Sequence, residues 1–237
     1  MDFDAYLDQV RQQAGALRAA AVKAGPDADV PTAPGWNVYR LVRHIARVHD
    51  WVLRSLATDP AGERPSPAQP PDDWDAMLTF WDEKVDAMLG ELRRRGPDAP
   101  AWSFADPTVR FWARRQAHET AIHRLDAEHA AHGDAVDHLV FAPELAADGV
   151  DEALTIMIAR TTVEVSGTVL YHAADAGRAW LVTLTAGQSP VTGSAPGLDT
   201  DASVVGTADA VYRAVWGRPS NAVIGGDRTL VAALRTP

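Results

Sequence analysis

Through residues 3–24 apolar side chains (Phe3, Tyr6, Val10, Ala14, Leu17) return every three or four positions on an otherwise polar surface, which predicts a helix with one buried face. Gly25-Pro26 stops it, and the segment DADVPTAPGW (27–36), with two prolines and a glycine, is a loop. Val38, Leu41, Ile45, Val48 and Val52 mark a second amphipathic helix, with Asn37 as its cap. The stretch TDPAGERPSPAQPPDD (58–73) is too rich in proline to be helical. It leads to a third helix over about residues 74–94, apolar at Met77, Phe80, Trp81, Val85, Met88 and Leu89, which Gly96-Pro97 ends. A fourth helix runs from near Thr108 to about Ala131 and carries Phe111, Trp112, Arg115, Glu119, Ile122, His123 and Asp126. Four helices with one long crossover suit a bundle.

From about residue 138 the pattern changes. A helix near 142–159 is followed by TVEVSGTVLYHA (162–173) and AWLVTLTA (179–186), two β-branched runs separated by ADAGR, an antiparallel hairpin signal. ASVVGT (202–207) reads as another strand, with helices over 208–217 and about 229–234 after it. The chain is therefore read as α+β in two domains, a bundle over 1–135 and a smaller α+β domain over 136–237. No internal repeat is evident.

Composition narrows the function. Acidic residues outnumber basic ones 32 to 22, and a net charge of −10 without a basic patch argues against nucleic acid or an anionic membrane as partner. The start, MDFDAYLDQV, is acidic where a secretory signal is positive, and no apolar run approaches a bilayer span, so a cytoplasmic protein is expected. Without an obvious exposed apolar stripe, a monomer is expected. The absence of cysteine excludes disulfides, thiolate metal sites and a cysteine nucleophile. A metal would have to use His, Asp or Glu, and any sulfur would have to arrive on a small molecule.

Histidine 44 shares a helix face with Leu41, Ile45 and Val48, so its imidazole points toward the bundle core, where it is either hydrogen-bonded or a ligand. In RQAHETAIHRLDAEH (115–129), His118 and His123 are five apart, which rotates them too far round a straight helix to share one ion. Glu119 and His123 are four apart and can share it, unless they are only a surface pair. With His44 they would form a three-ligand N/O site with a fourth position open, the arrangement of a catalytic zinc. His49, His118, His129, His132, His138 and His172 are read as surface or structural groups, and Trp36 and Trp102 as candidates to line a pocket.

The runs VPTAPGWNVYRLVRHIARVHDW (30–51), RRQAHETAIHRLDAE (114–128) and VYRAVWGRPSNAVIGGD (211–227) resemble the mycothiol-dependent maleylpyruvate isomerase family, one of the DinB-like metalloenzymes, over nearly the whole chain. The resemblance implies a DinB-like four-helix bundle followed by a small, sterol-carrier-like α+β domain. It implies zinc, or another divalent metal, on His44, Glu119 and His123, the three residues that spacing also selects. It further implies that Arg218, in Trp-Gly-Arg (216–218), clamps a substrate carboxylate, whereas on the residues alone it is equally an arginine at a helix C-terminus. Asp126, one turn beyond His123, is either a hydrogen-bond acceptor for the ligand imidazole or an exposed acid.

Zinc lowers the pKa of a coordinated thiol, so a low-molecular-weight thiol, mycothiol in this family, would be presented as a nucleophile to a small-molecule electrophile. Addition to a cis-unsaturated carboxylate such as maleylpyruvate, rotation and elimination would give isomerisation, and attack on another electrophile would give S-transfer. A thiol-independent zinc hydrolase and a non-catalytic metal-binding protein are the alternatives. In the latter, His49 or His118 would close the fourth position. The long proline-rich crossover at 58–73 departs from the family and could form one wall of the substrate cleft.

Overall fold

Each long helix of the first half begins with a side-chain cap. Asp2 opens α1 (Phe3–Ala24), Asn37 opens α2 (Val38–Ala57), Asp73 opens α3 (Trp74–Arg95) and Thr108 opens α4 (Val109–His132). In every case the cap oxygen accepts a hydrogen bond from the backbone N–H three residues on, satisfying a group the helix leaves orphaned. The computed structural model describes residues 1–134, 136, 139–194, 199–234 and 236. It divides into two units, Met1–Leu139 and Val140–Pro237. The expected boundary residue 135 and His138 lie outside the described residues.

In the first unit α1 packs mainly on α4 and α2 on α3. Leu17, Val38, Leu41, Val42, Ile45, Met77 and Trp81 are sealed in the shared core. The crossover of residues 58–73 carries no regular structure, as its prolines require. Asp50 pins it: Oδ2 of this buried carboxylate accepts from the Ala68 N–H at 2.6 Å and the Arg54 Nε at 2.7 Å, and Oδ1 pairs with Lys84 at 3.0 Å.

The expectation of no internal repeat is overturned. The hairpin α1–α2 recurs as α3–α4, displaced by 71 residues: the caps Asp2 and Asp73, the helix-ending Gly25 and Gly96 at φ 82° and 77°, and the caps Asn37 and Thr108. Both connections bear the same sequence, GPDA, at 25–28 and 96–99. They fold alike: Val38 N–H bonds Ala28 C=O at 2.9 Å and Val109 N–H bonds Ala99 C=O at 3.0 Å, beside matching bridges Asp29–Asn37 and Pro100–Thr108. Beyond the caps and loops the two copies share little sequence, and for that reason the repeat escapes a reading of side-chain pattern.

The second unit opens with α5 (Pro143–Glu152), which passes into a π-helical turn over Ala153–Met157 and a 3₁₀ turn over Ile158–Arg160, so the expected helix of 142–159 is present but not uniform. A five-stranded sheet follows, with β1 (Gly167–Ala173), β2 (Arg178–Leu184), β3 (Val191–Ser194), β4 (Ala202–Gly206) and β5 (Val223–Gly226) in the order β3-β2-β1-β4-β5. The β1/β4 pair is parallel and the others antiparallel. Strand β1 starts five residues later than its β-branched run, because Val163 is held instead by an isolated bridge to Gln188. The short strands β3 and β5 were not expected: each is four residues long and lies at an edge, where alternation is too brief to read. Helices α6 (Ala208–Val215) and α7 (Arg228–Ala233) pack on β1 and β4. No helix among the described residues is long and apolar enough to cross a membrane.

Gly226 closes the β4/β5 pair at φ 69°, where a Cβ would stand 2.1 Å from the Asp201 carbonyl oxygen. A main-chain atom cannot swing aside as a side chain can, so Gly226→Ala is expected to destabilise the second unit by about 3 kcal/mol or more, read as a fall in the urea midpoint. A midpoint within error of the parent would refute this account of the corner.

Candidate metal centre

Helices α2 and α4 face each other along opposite directions, so that His44 meets Glu119 while Trp51 meets Trp112 seven residues earlier on α4. At the first of these crossings three of the predicted residues converge. His44 Nε2 lies 3.2 Å and His123 Nε2 3.3 Å from the same oxygen, Glu119 Oε1. One ligand atom from each of the three residues can be chosen such that all lie within 4.8 Å of one another, and no other group of His, Asp or Glu among the described residues does this. The imidazole centroids are 4.8 Å apart, edge to face.

Asp126 joins the cluster from behind. Its buried Oδ2 accepts from His123 Nδ1 at 3.0 Å, which leaves Nε2 directed at Glu119, and its Oδ1 accepts from the Thr32 hydroxyl at 2.5 Å. Trp36, on the loop before α2, lies edge-on to His44 at 5.2 Å and stacks with His123 at 6.4 Å, covering the imidazoles with an apolar wall. The His44 side chain keeps 37% of its surface exposed against 14% for His123, so the cluster is reached from the His44 side.

Two neighbours were not foreseen in a functional role. Arg115, one turn before Glu119 and only 3% exposed, donates from Nη2 to Glu119 Oε2 at 2.5 Å. An arginine four residues before a glutamate on an inward face was a legible signal. The Thr32 contact with Asp126 spans 94 residues and left none.

His49 and His118, the other candidates for a fourth ligand, are engaged elsewhere in the core. His49 is buried: its Nδ1 accepts from the Trp81 indole at 3.0 Å, so Nε2 carries the proton and donates to the Thr120 hydroxyl at 3.1 Å. Burial drives its pKa down to about 3, and with both nitrogens engaged it cannot close a coordination shell. His118 is also buried, packed against Tyr6. Trp102 belongs to an aromatic cluster with Trp51, Phe104, Phe111 and Trp112 rather than to the imidazoles. Arg218 lies in the second unit, where its Nη1 donates to the Trp216 carbonyl at 2.7 Å.

The electrostatics suit a cation. Burial pushes the Glu119 carboxyl upward, but the Arg115 charge and the two imidazoles outweigh it and hold it well below the usual carboxylate range. Burial pushes His123 down, yet its hydrogen bonds to Asp126 and Glu119 prevail and raise it to about 9. His123 is therefore a proton-holding imidazolium between two carboxylates, and a divalent ion on Nε2 would satisfy the same negative field. Two imidazole nitrogens and one carboxylate oxygen are a donor set that zinc accepts.

A helical bundle with an inward His/Glu/His cluster, joined to a small mixed α/β unit, defines the class of protein. The family model described as mycothiol maleylpyruvate isomerase N-terminal domain matches residues 7–128, and the one described as MDMPI C-terminal domain matches residues 144–233. The chain belongs to the mycothiol-dependent maleylpyruvate isomerase family. Among solved structures it is similar to the mycothiol-dependent maleylpyruvate isomerase, at 13% identity and a TM-score of 0.66, and to a histidine-to-alanine mutant of that enzyme, at 12% and 0.67. Both alignments cover 95% of this chain and 93% of the other. No curated protein sequence matches.

Because the His123 pKa rises from 6.5 to about 9 on folding, the metal-free native state holds this proton more tightly than the unfolded chain does. The resulting stabilisation is complete below about pH 6.5 and is lost as the pH climbs through about 9. The urea midpoint of metal-free protein is accordingly expected to fall between pH 7 and pH 9.5, and Asp126→Asn to flatten that fall. Zinc uptake at pH 7 should release about one proton, measured calorimetrically in buffers of different ionisation enthalpy. Uptake without proton release would contradict the assignment.

Proposed function

We propose that this chain is a metal-dependent enzyme, with zinc or another divalent ion on His44, Glu119 and His123, that uses a low-molecular-weight thiol, mycothiol, to isomerise a cis-unsaturated carboxylate of the maleylpyruvate kind or to transfer sulfur to a related electrophile. The observation that carries this reading is the convergence of both imidazoles on one oxygen of Glu119, with no fourth His, Asp or Glu ligand among the described residues. His44, Glu119 and His123 would hold the metal, which would supply Lewis acidity able to lower the pKa of a thiol bound beside them.

The chain's own residues do the rest. Asp126 fixes the His123 tautomer and ring, Thr32 steadies Asp126, and Trp36 excludes water from one side of the imidazoles. With no cysteine in the chain, the sulfur comes from the cosubstrate. In the isomerisation the thiolate sulfur bonds to one alkene carbon and the π electrons move onto the conjugated carbonyl as an enolate. The former double bond then rotates, and as the enolate electrons return the C–S bond breaks to give the trans alkene and the same thiolate, so that no net oxidation or proton transfer occurs. Glu119 is a poor general base, since Arg115 holds its second oxygen and its pKa is depressed, and this favours thiol chemistry over a hydrolase in which Glu119 would activate water. A reduced thiol cosubstrate also suits the cytoplasm.

The purified protein should carry about one zinc per chain, and turnover of a cis-unsaturated dicarboxylate should require added thiol. His44→Ala is expected to lower kcat/KM more than about 100-fold with the fold retained. Thiol-independent turnover, or a His44→Ala rate equal to the parent's, would overturn the reading. For Arg218 we propose a substrate-carboxylate contact. Arg218→Ala should raise KM for the carboxylate substrate about tenfold or more, and Arg218→Lys should restore it only in part, because an ammonium lacks the two-pronged geometry. An unchanged KM in the alanine variant would remove Arg218 from the site.

A further inference from the structure

The two oxygens of Glu119 are divided between opposite sets of partners. Oε1 meets both imidazoles, at 3.2 and 3.3 Å, and Oε2 belongs to the Arg115 guanidinium at 2.5 Å. The internal repeat sharpens the contrast. Arg115 occupies in α4 the position that His44 occupies in α2, 71 residues away, as Thr108 does that of Asn37. Equivalent positions on the two inner helices thus grip the same carboxylate from either side, one with a group able to bind a cation and one with a permanent cation.

We infer that Arg115 is a positioning residue that keeps Glu119 a one-oxygen ligand, so that a place on the metal remains for the thiol. The inference rests on the metal reading above. A carboxylate free of other partners can bind a metal through both oxygens. Together with two imidazoles it would then supply four protein donors, so that a thiol or water would be a fifth ligand at a crowded ion instead of the fourth at an open one. Arg115 prevents this by occupying Oε2. Its side chain is buried, and it stands one turn from Glu119 on the same helix, within reach of that oxygen. The guanidinium also offsets part of the ligand's charge. A cation held by two neutral imidazoles and a half-neutralised carboxylate keeps more of its own positive charge for the thiol, at the expense of binding strength.

Cobalt(II) in place of zinc tests this without turnover. Four-coordinate cobalt absorbs strongly in the visible, and higher coordination weakens the bands. The parent protein loaded with one cobalt is expected to show intense bands. Arg115→Met and Arg115→Gln, which both remove the charge while Gln retains a polar side chain of similar reach, should show weaker bands at equal cobalt content. Cobalt affinity should increase about tenfold or more in these variants, through loss of the nearby positive charge. Weak bands in the parent overturn the inference without recourse to a variant. So do parent-like bands and affinity in whichever variant folds. Failure of the parent to take up cobalt stoichiometrically would instead count against the metal reading, which keeps the two failures distinct.

Discussion

A carboxylate buried between helices has to be compensated, and the arrangement of this bundle's inner face follows from how Glu119 is. Left alone, such a charge would be driven neutral by burial. Here Arg115 takes one oxygen and His44 and His123 share the other, so the charge persists and its pKa is depressed. The arrangement tolerates little displacement, because the groups come from two helices running in opposite directions. A shift of α2 along α4 by one turn would separate His44 from Glu119 and leave a buried ion incompletely paired. Asp50, which ties α2 to the crossover and to Lys84 on α3, is part of what holds that register.

The same logic extends one layer outward. His123 is held as a cation by Asp126, which receives its second N–H, together with Glu119, and the wholly buried Asp126 accepts in turn from Thr32 and His123. Thr32 and Trp36 belong to the loop that repeats the GPDA connection, so a local turn motif far from the donor residues in sequence places both the hydroxyl and the indole. The repeat supplies two similar hairpins, and the site arises from their difference. Where α4 has Glu119 and His123, the equivalent positions of α2 carry Val48 and Val52. One half of the pseudo-symmetric pair provides the acid and its histidine, and the other contributes a single imidazole.

The long helices, the Asn37 cap and the Glu119/His123 pair were legible because each depends on short-range spacing, and His44 was joined to that pair by its inward helix face and by the family resemblance. Asn37 and Thr108 announce helix starts, and four residues between Glu119 and His123 place them on one face. What was not legible depends on pairs distant in the chain. The Thr32 to Asp126 bond, the sharing of one oxygen by His44 and His123, and the two edge strands have no local signature. The repeat escaped for a different reason: its copies are alike in backbone and caps but not in core side chains, with Tyr6 answering Met77 and Val10 answering Trp81. His49 lies on the same helix as His44, and only the bonds to Trp81 and Thr120 separate a core histidine from a ligand.

On the proposed reading, this charge distribution also explains why a thiol and not water would be the nucleophile. A metallohydrolase needs a base beside the cation to remove a proton from water, and a carboxylate already committed to a guanidinium has lost most of its basicity. A thiol starts with a far lower pKa than water, so coordination alone suffices to ionise it at neutral pH and no base is required. The demand on the protein is then confined to holding the cation with few and weakly charged donors. Two neutral imidazoles and a carboxylate half-cancelled by Arg115 meet that demand, and the 37% exposure of the His44 side chain leaves a route by which a cosubstrate can arrive.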